Sequence, residues 1–127
     1  MKDLARAKTR AIMRLKSGIW VAAYIRRAQI EGAQAMLRRR GADEAGAVFI
    51  KVARLDGTAE VFGPAPQSAF DEARPSDRAF IRTLKAQPAT EADAEAYLAR
   101  QIKFDPDIWI VEVEDRAGRN FLDTVVS

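Results

Sequence analysis

The chain has 127 residues, 48% hydrophobic and 31% charged, with a net charge of +3, a length suited to one domain with its own core. It contains neither cysteine nor histidine, which excludes disulfides, thiolate nucleophiles, sulfur-ligated metals and every histidine-dependent catalytic arrangement. The positive charge is concentrated at one end, because Lys2, Arg6, Lys8, Arg10, Arg14 and Lys16 face only Asp3 there, leaving 15 basic and 17 acidic residues elsewhere.

This asymmetry divides the chain into a basic extension, 1–16, and a single α+β domain, 17–127. Leu4, Ala7, Ala11, Ile12 and Leu15 have helical spacing within the extension. Met13 stands just ahead of the first regular element and offers an alternative start, which would make 1–12 an optional addition. No apolar run is long enough to span a bilayer, and the first residues lack the apolar core of a secretory signal. The expectation is a cytoplasmic protein with no membrane partner.

Ile19 to Arg27 alternates as a strand would. Ile19, Val21, Ala23 and Ile25 fall on one side, and Trp20, Ala22, Tyr24 and Arg26 on the other. Gln29 to Arg40 is predicted to be a helix, with Ile30, Ala33 and Leu37 at helical spacing. Arg38, Arg39 and Arg40 then fill its last turn and Gly41 follows as its C′ residue. Ala47–Arg54 and Thr58–Gly63 form a hairpin around Asp56-Gly57, ended by Pro64 and Pro66. Val48, Ile50 and Val52 share one face of it, and Phe49 and Lys51 the other.

Residues 64–77 form a polar connection, and 77–84 a further short strand. Thr90 caps a helix, with Asp93 in the capping-box position and Ala94, Leu98 and Ile102 on its core stripe. Asp105-Pro106-Asp107 stops that helix. In the strand that follows, Trp109, Val111 and Val113 face the core, and Phe121–Val126 makes a final edge strand.

The resulting βα-ββ(β)-αβ order predicts an α+β fold. It has a mainly antiparallel sheet with two helices on one face, resembling the ferredoxin-like split βαβ. The opposite face would then be open and carry Trp20, Tyr24, Arg26, Phe49 and Lys51. Such a patch suits a second copy of the chain or another protein. Aromatics interleaved with basic residues also suit nucleic acid, although Glu112 and Glu114 would repel phosphate. The glycine-aromatic signature of RNA-recognition strands is missing from AVFIKVARL as well.

Carboxylates gather in Asp105, Asp107, Glu112, Glu114, Asp115 and Asp123, but their spacing matches no calcium loop. Asp105 and Asp107 are expected to make local turn hydrogen bonds. No glycine pattern cradles phosphate, and no serine sits in a nucleophile elbow. No catalytic, cofactor-binding or metal-binding residue is therefore assigned, no cofactor is expected, and the chain does not read as an enzyme.

The stretches RLKSGIWVAAYIRR, FGPAPQ, DRAFIRTL and FDPDIWIVEVEDRAGRNFLD resemble a family of short bacterial proteins classed as a domain of unknown function. The likeness runs from Met13 to near the end of the chain. It implies no catalytic residues. The function expected from the residues is a small interaction module, self-associating through the aromatic sheet face. The alternative is a nucleic-acid-binding accessory protein that uses the same face and the basic tail.

Overall fold

A computed structural model describes residues 15–66 and 78–126. The remainder of the basic extension, the candidate start at Met13 and most of the polar connection lie outside the described residues. The elements in order are α1 (Ser17–Ile30), β1 (Gln34–Arg39), β2 (Val48–Ala53), β3 (Thr58–Pro64), β4 (Ala79–Arg82), β5 (Ala89–Thr90), α2 (Glu91–Phe104), β6 (Trp109–Glu114) and β7 (Thr124–Val126). The strands form one mixed sheet in the order β1-β6-β2-β3-β4-β7, with β5 paired to β3. β2 and β6 run parallel, as do β4 and β7, and the other pairs are antiparallel. The α+β class and the predominance of antiparallel pairing hold.

The first two elements are exchanged relative to the sequence expectation. Residues 19–27 are helical, and β1 occupies the heart of the predicted helix 29–40. Val21, Tyr24 and Ala28 are buried at helical spacing, so both periodicities were present in the same run. Strand-like alternation arises because the helix also carries apolar residues on its outer side. Gly32, at φ +94°, ends the helix in a left-handed conformation that suits glycine at C′. The chain then reverses into β1. Arg38 to Arg40 belong to an edge strand and its exit instead of a helix end.

The helices also lie on opposite faces of the sheet, not on one. Val48, Ile50 and Val52 of β2 pack with Tyr24 and Ala28 of α1. Phe49 points the other way and packs with Ala94 and Leu98 of α2. This alternation buries every residue of β2, an inner strand of the sheet. The result is three layers, helix on sheet on helix, in place of the two-layered ferredoxin-like arrangement.

Local signals further along hold well. Asp56 accepts a hydrogen bond from the Thr58 amide at 2.9 Å, and Gly57 takes φ +89° in the hairpin turn. Thr90 caps α2 by accepting from the Asp93 amide at 3.1 Å. Asp105 accepts from the Asp107 amide at 2.9 Å, as a turn aspartate should. Trp109 is 1% exposed, and its indole N–H donates to the Ala42 carbonyl at 2.7 Å.

Gly41 has a different task from the helix stop expected of it. The Ala42 amide donates to the Asp107 carbonyl at 2.9 Å, and a Cβ at Gly41 would overlap that same carbonyl. Gly41→Ala should therefore cost about 1–3 kcal/mol, as overpacking typically does. Urea unfolding measures it, and an unchanged midpoint would show that the two loops separate freely.

Candidate functional site

The five residues expected on one open sheet face are divided between the two sides of the molecule. Trp20, Tyr24 and Arg26 stand on α1, while Phe49 and Lys51 lie on the opposite face beneath α2. Tyr24 is 1% exposed and its hydroxyl donates to the Asn120 carbonyl at 2.5 Å. Burial pushes its phenol pKa above the ordinary range, with the nearby Arg27 charge acting in opposition. Trp20 stacks on Tyr24, ring centroids 5.2 Å apart and planes within 9°. Arg26 is exposed.

Phe49 is buried against Tyr97 of α2. Lys51 is the centre of an ionic cluster. Its Nζ lies 2.5 Å from Glu91, 2.6 Å from Glu95 and 3.6 Å from Glu112. Arg38 joins from β1, donating to Glu95 at 2.7 and 2.8 Å and to Glu112 at 3.0 Å. Desolvation disfavours the Lys51 charge, but the Glu91 and Glu95 hydrogen bonds outweigh it and raise the pKa. The lysine stays protonated at neutral pH and is unsuited to nucleophilic work. The Arg38 hydrogen bond, partly offset by desolvation and helped by Lys51, draws the Glu95 carboxyl down to about 2.

Of the acidic residues noted in the sequence, Asp105 accepts from the Asp107 amide and three others form ion pairs. Glu112 belongs to the Lys51 cluster, Asp115 pairs with Arg119 at 2.8 Å, and Asp123 pairs with Arg27 at 3.2 Å. Among the described residues, no group of three or more acidic side chains has the geometry to hold a metal ion.

The surface that remains is one the strand reading concealed. Ile19, Ala22, Ala23, Arg26 and Ile30 recur at helical spacing along the outward side of α1 and are all exposed. Ile19 is 55% exposed and Ile30 75%. Leu15, just ahead of the helix, continues the stripe. A helix that is apolar all round normally meets something on both sides. The signal was available, because Ile19, Ala22, Ala23, Arg26 and Ile30 are spaced i, i+3, i+4, i+7 and i+11.

Beside this stripe lies a cavity of about 190 Å³, walled by Leu15, Trp20, Ala23, Tyr24, Arg27 and Arg78, with Asp123 at its edge. Its charged groups are engaged. Arg27 donates to the Phe121 carbonyl at 2.7 Å as well as to Asp123. Arg78 donates to the Leu15 carbonyl at 3.0 Å and to Ser17 Oγ at 3.2 Å.

The exposed edge of the sheet at β1, by contrast, is blunted in three ways. Gln29 of α1 donates its side-chain amide to the Ala35 carbonyl at 3.2 Å. The Ala33 amide is taken by the Ala28 carbonyl at 3.1 Å. The register also slips between Leu37 and Arg39, a bulge that interrupts any further ladder.

The model of a protein family described as of unknown function, DUF1491, matches residues 15–123. A crystal structure of a DUF1491 family protein from Caulobacter crescentus CB15 is similar at 43% identity. The match covers 89% of this chain and 98% of that one, with a TM-score of 0.73. A solution structure of a protein from A. tumefaciens is similar at 35% identity, covering 87% of this chain and 94% of that one, also with a TM-score of 0.73. No functionally curated protein matches. With the match spanning nearly all of the described fold, the chain belongs to the DUF1491 family of unknown function.

Proposed function

We propose that the protein is a non-enzymatic interaction module of the cytoplasm that self-associates, and that its contact surface is the outward face of α1. The observation that carries this reading is the double-sided apolar character of α1. Val21, Tyr24 and Ala28 are spent on the core, while Ile19, Ala22, Ala23 and Ile30 are left facing water. The two alanines at the centre let another backbone approach closely, and the flanking isoleucines supply apolar area. A second copy fits because it brings the same stripe, and a two-fold contact is the commonest way to use one.

The nucleic-acid alternative loses the sheet face it relied on, since Phe49 and Lys51 are beneath α2. Its remaining support is the basic composition of residues 1–16. No helix among the described residues is long and apolar enough to cross a membrane.

A single pair of helices lies at the small end of specific interfaces, so the expected dissociation constant is about micromolar. Sedimentation equilibrium from about 1 to 300 µM should therefore show a mass rising from monomer to dimer. Ile19→Glu, at an exposed position, should hold the mass at monomer with little change in thermal midpoint. A monomer across the whole range for the unsubstituted chain overturns the proposal.

A further inference from the structure

Resting on that self-association, we infer that two copies pack their α1 helices antiparallel about Ala22 and Ala23. Each Ile30 is then seated in the Leu15–Trp20–Ala23 cavity of the other copy.

The stripe is self-complementary when read from its midpoint. Ala22 and Ala23 flank the centre, Ile19 and Arg26 are equidistant from it, and so are Leu15 and Ile30. In an antiparallel pair Ala22 therefore packs on the partner's Ala22 and Ala23 on the partner's Ala23, each offset by one residue along the axis, and Leu15 lies level with the partner's Ile30. The methylenes of Arg26 cover the partner's Ile19 while its guanidinium reaches water. A parallel pair would instead set the two Arg26 charges against each other.

The cavity decides which side the knob enters. Ala23 and Ile30 are seven residues apart, almost two full turns, and so lie on the same flank of the helix. Ala23 lines the cavity, so Ile30 projects on the flank that carries it. A two-fold axis perpendicular to both helices keeps like flanks together. The partner's Ile30 thus arrives at the level of Leu15 and on the cavity's side. Ile30 is 75% exposed, more than any other exposed large apolar residue of α1. The cavity's volume of about 190 Å³ accommodates its side chain. Because Arg27 is held by Asp123 and the Phe121 carbonyl, an apolar knob strips no partner from it.

The natural absence of cysteine makes disulfide trapping clean. An oxidised mixture of full-length Leu15→Cys and Ile30→Cys chains should give a covalent heterodimer, with neither linking efficiently alone. Ala22→Cys alone should link across the two-fold axis. Ala23→Phe, which fills the cavity mouth from an exposed position, should weaken association at least about tenfold in sedimentation, equivalent to about 1.4 kcal/mol. Efficient self-linking of Ile30→Cys would mean a parallel pair and overturn the inference. A dimer by sedimentation that shows no cross-link, or that ignores Ala23→Phe, would overturn the register or the seating and leave self-association standing. A monomer at every concentration would overturn both.

Discussion

Replacement of Lys51 by methionine should lower the unfolding free energy by about 2–4 kcal/mol, somewhat under the usual cost of breaking a buried ion pair. The discount reflects Glu91 and Glu95, whose side chains are 40% and 42% exposed and can turn toward water. Glu112, 17% exposed, cannot do so as readily, and it loses a cation while keeping only Arg38. If that account is right, Lys51→Met combined with Glu112→Met should recover much of the loss, because a well-packed apolar pair can match a buried ionic one. Urea unfolding of the two single variants and the double variant measures the coupling. Strict additivity would show that Lys51 acts through its stem's packing and not through its charge.

The same cluster sets the acid limb of stability. The Glu95 pKa is depressed from the ordinary glutamate value to about 2 in the folded chain. Its stabilising contribution is therefore complete above the unfolded value of about 4.5 and is lost as pH falls toward 2. Lys51 has the opposite sign. Its raised pKa stabilises the fold below the ordinary lysine value and ceases to do so as pH rises through the folded value. Stability measured against pH should fall at both ends, and Lys51→Met should flatten both limbs.

These long-range pairings explain which parts of the architecture the chain disclosed. The Asp56-Gly57 hairpin, the Thr90 cap and the Asp105-Pro106-Asp107 stop are local, each made by neighbours within a few residues. Trp109 and its strand carried enough apolar alternation to be placed in the core. The first quarter of the chain misled because α1 is apolar on two sides, satisfying period two and period 3.6 together. Arg38 to Arg40 looked like a helix terminus, whereas their partners are distant. Arg38 binds Glu95 and Glu112, Arg39 donates to the Pro106 carbonyl at 2.7 Å, and Arg40 lies over Trp109 at 5.2 Å. Lys51 alternates to the face opposite Val48, Ile50 and Val52, and only the placement of α2 on that face makes it interior. In a strand Ile19 and Ala23 would face the same side as Val21 and Ile25, so the exposed stripe exists only in the helical form of this segment.

Tyr24 shows how much turns on that correction. Were it on an open contact face, Tyr24→Glu would dissociate a dimer and leave the monomer folded. In the observed fold the same substitution places a carboxylate at a site 1% exposed, stacked against Trp20, with the Asn120 carbonyl as its nearest polar neighbour. An acceptor facing an acceptor cannot replace the lost hydrogen bond. Arg27 lies close by but is already held by Asp123 and the Phe121 carbonyl, so it offsets the buried charge only in part and the expected cost is about 3–5 kcal/mol. Tyr24→Glu should thus lose near-ultraviolet circular dichroism and the cooperative urea transition. Tyr24→Phe keeps the stack and removes only the donor, and should cost about 1–2 kcal/mol while remaining folded. Their comparison separates core from contact. Folded monomer for Tyr24→Glu would mean that α1 turns its aromatic side outward in solution. An unfolded Tyr24→Glu beside a folded, monomeric Ile19→Glu would instead fix the inner and outer faces of the helix by their opposite consequences.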